Sequence, residues 1–351
     1  MVTANEMPRT RRAGAGDDVV WVGRRLFEDG LTDGLPIVPP TEGRVTSMLG
    51  SVPPDHLLVA LPPLYRAATA EDLAVCAVLA GCEPGHFPFL LAALDAVTAP
   101  EFNLLGVVTT TGSVAIGLVL HGPQATRVGA NDGGNCLGPG NLTNAAVGRG
   151  VALAIRAISG AVPGVLDMAT LGQPAKYGMC LAEAASPRPW SHMHADRGMD
   201  ASASAVTVVA ASGAVEIADP YSDSAEGLLA TVASALPLPA ALNSDGSLLG
   251  GGEQLVVFPP EWAHRLSRES WTKGQVQEYL YEHSTVTLDR LPVAARDHVS
   301  ASVEERGVIA SASSAGGIQV VVAGGPGTKG IYLPSWPGGS CMVTRQLDQQ
   351  G

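Results

Sequence analysis

Apolar positions along this chain follow two rhythms. Where they return every three to four residues they predict amphipathic helices, and where they run unbroken for five to seven residues between glycines and prolines they predict buried strands. The first rhythm predicts helices over 19–28 and, after Thr41, over 41–49. Thr69-Ala-Glu-Asp72 is close to a capping box and heads a buried helix carrying Leu73, Val75, Cys76, Val78 and Leu79. Gly81-Cys-Glu-Pro84 breaks that helix, and a second, over 84–97, places Phe87, Leu90, Leu91 and Leu94 on its inner stripe. Further helices are predicted over 145–158, 227–236, from Pro260 through 268, and from a Thr272 cap through 283. The second rhythm predicts strands over 35–38, 104–110, 114–120, 254–258 and 318–323. It also predicts a hairpin of 205–211 with 215–217 around Ser212-Gly213.

Interleaved strands and helices predict an α/β or α+β fold, a mixed sheet with flanking helices. A Pro-, His- and Arg-rich stretch over 186–200 reads as a hinge. The expected organisation is a disordered tail over 1–18, a lobe over 19–190 that holds a glycine-rich ligand loop, and a second lobe over 191–351.

Composition narrows the function. With 46% hydrophobic and 15% charged residues among 351, the chain has the material for a large core. A net charge of −12 offers no basic face for a nucleic acid. Of 21 basic residues only Lys176, Lys273 and Lys329 are lysine, so an anionic ligand meets a guanidinium. No run reaches the roughly 18 apolar residues of a membrane span, and no signal-peptide core follows the N-terminal arginines. The expected location is the cytoplasm. The five cysteines, Cys76, Cys82, Cys136, Cys180 and Cys341, are odd in number and widely spaced, which fits free thiols better than a disulfide framework.

Three segments carry candidate chemistry. Asn131-Asp-Gly-Gly-Asn-Cys-Leu-Gly-Pro-Gly-Asn-Leu-Thr-Asn144 feeds a helix, so its amide groups and the helix dipole predict a polar or anionic ligand at Asn135, Gly138, Gly140, Asn141 and Asn144. The alternative is a tight turn capped by Asn144. Ser191-His-Met-His-Ala-Asp-Arg-Gly198 sets two histidines two apart, on one face if the segment is a strand. His194 followed by Asp196 and Arg197 reads as an acid-base group with an orienting carboxylate and a substrate cation; His192 reads as incidental. Cys82 beside Glu83 reads as a thiol of lowered pKa with a proton carrier, or as buried filler. Cys136, inside the loop, reads as an acidified thiol. Lys176, Tyr177 and Glu183 are further proton-transfer groups, and Arg149 a further substrate cation.

Asp33-Gly-Leu-Pro36 with Pro39-Pro-Thr41, Ala80-Gly-Cys-Glu-Pro84 with Phe87-Pro88, Leu137-Gly-Pro-Gly-Asn141 with Asn144 and Gly148-Arg149, His194 with Arg197-Gly198, and Ala323-Gly-Gly-Pro-Gly327 together resemble an uncharacterised bacterial family. The resemblance spans nearly the whole chain and implies one full-length unit. Members are often encoded beside small proteins with a Cys-Gly-Ser-Cys or selenocysteine motif, which implies thiol redox or a two-protein enzyme. Gly338-Gly-Ser-Cys341 here lacks the first cysteine of that motif.

Four functions follow as expectations. The leading one is a small-molecule enzyme of lyase or hydrolase type acting on an anionic metabolite, with His194, Asp196, Cys82, Glu83 and Cys136 catalytic and Arg149, Arg197 and Lys176 joining the loop in holding substrate. The others are a thiol-redox component, a non-catalytic partner subunit, and a metal-dependent enzyme in which His192, His194 and a distant carboxylate meet. No cofactor is specified by the sequence, and a homo-oligomer is consistent with its small apolar residues.

Overall fold

The computed structural model describes residues 18–185, 189–237, 252–297, 299 and 301–348. The predicted tail lies outside the described residues apart from Asp18, which caps the first helix by accepting from the Trp21 N–H; residues 186–188 of the predicted hinge lie outside them too.

The helices that organise the fold are α1 (Val19–Glu28), α2 (Glu42–Leu49), α3 (Ala70–Ala80), α4 (Phe87–Thr98), α5 (Leu104–Thr109), α6 (Pro123–Arg127), α7 (Leu142–Ser159), α8 (Met193–Asp196), α9 (Ala225–Ala235), α10 (Pro260–Arg268) and α11 (Lys273–His283). The strands are β1 (Leu57–Leu61), β2 (Arg66–Thr69), β3 (Ala115–His121), β4 (Met179–Ala182), β5 (Ala205–Ala211), β6 (Val215–Ala218), β7 (Gln254–Phe258), β8 (Thr285–Thr287), β9 (Val308–Ala310), β10 (Ile318–Val322), β11 (Lys329–Leu333) and β12 (Val343–Gln346).

Two four-stranded mixed sheets form the centre, ordered β12-β5-β3-β4 and β10-β7-β11-β6. Alternation along each strand decides what each face covers. Leu118 and Leu120 of β3, with Val206 and Val208 of β5, bury against Leu73 and Val78 of α3, Leu90 and Leu94 of α4 and Val147 and Val151 of α7. The opposite face, with Val119, Leu181 and Val209, meets Leu255, Val257 and Val321 of the second sheet. That sheet's far face, with Val256, Phe258, Val320 and Tyr332, is covered by Leu228 of α9, Trp262 of α10 and Leu280 of α11. The result is four layers, helices on sheet on sheet on helices, which places the expected mixed sheets and flanking helices in one stack.

The stack is not laid out in chain order. Residues 205–211 and 343–346 complete the sheet begun by β3 and β4, so this sheet draws strands from both sides of residue 190. The predicted hairpin is corrected in the same way. Both strands form, but β5 joins one sheet and β6 the other, so Ser212-Gly213 carries the chain between layers.

Local readings fare according to whether a cap decides them. The Thr69 and Thr272 capping boxes form as predicted. Helix α2 starts after Thr41, without a side-chain bond from it. The strand predicted over 104–110 is instead α5: Asn103, at φ 56°, turns the chain and accepts from the Gly106 N–H, and that cap outweighs the β-branched pair Val107-Val108. Residues 35–38 are not a strand. Their Leu35 and Pro36 carbonyls accept from the Arg149 guanidinium, which takes the place of ladder partners. No helix among the described residues is by itself long and apolar enough to cross a membrane.

Candidate metal centre

Strands β3 and β4 are parallel, with Leu120 opposite Ala182. His121 ends β3 and Glu183 follows β4 by one residue, so register alone sets the two side chains next to each other at the carboxyl ends of adjacent parallel strands. His121 Nδ1 and Glu183 Oε2 lie 2.8 Å apart, both buried. The other ring nitrogen of His121 is 2.8 Å from Thr207 Oγ1 on β5, which is 2.9 Å from Thr344 Oγ1 on β12. A hydrogen-bonded string therefore runs across all four strands on the face that meets the second sheet.

The third member comes from α8. The Met193 N–H donates to both Glu183 oxygens, at 2.9 and 3.1 Å, tying this short helix to the carboxylate. That contact delivers His194 into the cluster, its ring 5.2 Å from His121 and 5.3 Å from His192. His194 is 0% exposed, yet among the described residues neither ring nitrogen has a partner in good hydrogen-bond geometry, the Ala201 backbone being the polar group that acts on it to raise its pKa. Burying such a group unpaired costs on the order of 1–3 kcal/mol, so the ring stands out as an unsatisfied group among ionisable neighbours. One ligating atom from each of His121, Glu183 and His194 lies within 4.8 Å of the other two.

The electrostatics suit a cation. Burial works to raise the Glu183 carboxyl, but the hydrogen bond and charge of His121, with Lys273 and His192 behind them, outweigh it and hold the group below its ordinary range. Burial pushes His194 down to about 4, helped by the neighbouring His121 and His192, so at neutral pH its ring is uncharged and keeps a lone pair. A carboxylate and two imidazoles are a donor set suited to a borderline divalent ion such as Zn²⁺. His121, Glu183 and His194 would hold such an ion, and Thr207, 2.8 Å from the far nitrogen of His121, would orient that ring.

The other predicted site residues fall elsewhere. Asp196 does not orient His194: it pairs with Lys273 Nζ at 2.7 Å and accepts from the Ser191 hydroxyl. The two histidines lie on no strand; His192 caps α8 and its Nε2 donates to the Ala184 carbonyl. Arg197 donates to the Met342 carbonyl and faces Glu253. Arg149 is forked onto Asp33 with two bonds of 2.8 Å, anchoring the 33–36 segment to α7. Lys176 pairs with Asp167 at 2.6 Å.

The glycine-rich loop is tied by its own side chains. Asn141, not Asn144, caps α7. Asn144 is buried and holds Asn131 through both backbone groups and Cys136 through its carbonyl. Asn135 donates to Pro139 and accepts, through its carbonyl, from Gly138, while Gly140 at φ 107° is exposed. The loop does reach the cluster's end of the sheets: Asn131 accepts from the Ala182 N–H, and the Asp132 carboxylate from that of Ala185. It also abuts the second glycine turn, where a Cβ on Gly325 would sit 2.8 Å from Gly134 Cα.

The thiols contradict the reactive reading. Burial pushes Cys82 up to about 12, the Arg149 charge notwithstanding, and its Sγ donates to the Ala146 carbonyl. Burial likewise raises Cys136 against its own backbone bonds. Glu83 is exposed, and its N–H donates to His86. Iodoacetamide near neutral pH should therefore modify at most Cys341, the exposed thiol, in the folded protein, and all five after denaturation. Rapid labelling of Cys82 or Cys136, mapped by mass spectrometry, would reverse this reading.

Sequence reasoning missed His121 altogether and treated Glu183 as an accessory. The signal that was available is the strand ending His121-Gly-Pro123, an ionisable group at the carboxyl end of a buried strand. Compared with protein-family models, with curated proteins and with solved structures, the chain gives no match.

Proposed function

We propose that the protein is a metal-dependent enzyme acting on a small molecule, with His121, Glu183 and His194 holding one divalent ion. The observation that carries the reading is His194, fully buried with both nitrogens unpaired inside a group of three ligating atoms. Three protein ligands leave a coordination position for water or substrate, the arrangement of catalytic rather than closed structural sites. The ion supplies a Lewis acid for a carbonyl or a water of lowered pKa, consistent with hydrolase or lyase chemistry. Thr207 and the Met193 N–H fix the orientation of His121 and Glu183. The glycine-rich loop, hydrogen-bonded to the same strand ends, would help to shape a substrate there.

The metal-free acid-base reading loses its support, since Asp196 is engaged elsewhere. So does thiol catalysis, since burial raises the buried thiols. The test is elemental analysis with Co²⁺ titration. One ion per chain, and a visible absorption band of a Co²⁺ complex with nitrogen and oxygen ligands, is the expected result. Protein that takes up neither Zn²⁺ nor Co²⁺ above trace level after dialysis against micromolar metal would end the proposal.

A further inference from the structure

A cavity of about 620 Å³ opens at the other end of β3, against α7 and the 161–177 segment. Its walls are apolar where Val107, Val114, Ile116 and Leu153 meet, and Leu171, 92% exposed, extends that apolar surface to the rim. Ala115 and Ile116 line it while His121 ends the same strand, so at ~3.4 Å per residue it lies roughly 17 Å or more from the metal cluster.

The charges around it do not balance locally. Asp33 is already forked by Arg149, and Asp167 is paired with Lys176. Arg156, half-buried in the same wall, uses Nε on the Gly30 carbonyl at 3.3 Å. Among the described residues its two terminal nitrogens have no partner. Burial acts to lower its pKa while the Asp33 and Asp167 charges act to raise it, and the guanidinium remains a cation facing an apolar hollow. A guanidinium in that setting is a fork for a carboxylate, and desolvation strengthens the bidentate pair.

We infer that this cavity is a second small-molecule site, separate from the metal centre, that binds an organic acid: the carboxylate on the Arg156 guanidinium, and an apolar body along Val107, Val114, Ile116 and Leu153. The volume falls within the range of small-molecule pockets, and an apolar hollow with one placed charge is their usual composition. The inference does not rest on the metal reading.

Calorimetric titration of the full chain with octanoate and 4-phenylbutyrate, against octan-1-ol and 4-phenylbutan-1-ol, tests it. The acids should bind saturably, one per chain, and the alcohols at least about tenfold more weakly. Arg156→Gln should weaken the acids at least about tenfold, and Arg156→Lys less, with an unchanged unfolding midpoint. Should the arginine variants fold poorly, Ala152→Trp, which fills the hollow and leaves Arg156 in place, should abolish binding of acid and alcohol alike. His194→Leu should bind octanoate as the wild type does. Equal affinity for acid and alcohol, absence of saturable acid binding, or undiminished binding in Arg156→Gln would each overturn the inference. Loss of octanoate binding in His194→Leu would assign the acid to the metal centre instead and overturn it too.

Discussion

If His121, Glu183 and His194 hold an ion as proposed, His194→Leu should abolish metal binding while leaving the metal-free fold as stable as before, or more so. The two effects have opposite origins. In the metal-free chain the imidazole contributes two buried nitrogens with no partner, and removing them relieves a penalty on the order of 1–3 kcal/mol. Leucine has about the same volume and keeps contact with the rings of His121 and His192, so little cavity is created. In chelator, the free energy of unfolding should match or exceed the wild type by up to ~2 kcal/mol. With Zn²⁺ at about a hundred times its dissociation constant the order should invert, because the wild type gains roughly 2.7 kcal/mol by mass action and the variant gains nothing. Urea melts with and without metal, beside metal content per chain, measure both halves. A variant that loses more than about 3 kcal/mol in chelator would mean that His194 has a structural partner, and one that still carries a full equivalent of metal would remove it from the ligand set.

Gly122→Ala is expected to be among the most damaging single-methyl additions in the chain. Gly122 follows His121 at φ 81° and ψ −173°, a region open essentially to glycine alone. A Cβ there would sit 2.2 Å from the Ala203 carbonyl oxygen and 2.8 Å from Ser204 Cα, and both of these are backbone atoms that have no side-chain rotation to relieve the clash. Strain and overlap together should cost on the order of 3–5 kcal/mol. Gly129→Ala provides the control. It shares a positive φ, 69°, but nothing lies within 4 Å of its Cβ, so only the conformational part, about 1 kcal/mol, should appear. Similar urea midpoints for the two variants would show that the Ala203 contact carries no weight.

The elements that sequence periodicity resolved are those whose ends carry a chemical stop: α3 and α11 with their threonine boxes, α10 with Pro260, and α4 after the Gly81 to Pro84 break. It failed where a single contact overrides local preference, as at Asn103, or where pairing is decided far away. Strands β4 and β12 are four residues each and carry no periodic signal, although both complete the first sheet. The site was legible to the same degree. His194 stands out because ionisable neighbours crowd it, but those neighbours turn away to Lys273 and Glu253. The groups that meet it in the fold, His121 and Glu183, are 73 and 11 positions upstream, set side by side by the parallel register of β3 with β4 and tied to α8 by the Met193 N–H. Asparagine and glycine enrichment singles out the 131–144 loop as a ligand site. What those residues do is hold the loop to itself and to the strand ends, a role that composition does not separate from ligand binding.

Because β12 lies at the edge of the sheet beside β5, the layer that carries His121, Glu183 and His194 stays unfinished until residues 343–346 have been added. A ribosome still holding that segment presents β5 as a bare rim, with Thr207 lacking its Thr344 neighbour. Truncation before residue 343 should therefore leave β5 as an unpaired rim and yield chains that aggregate or that chaperones retain.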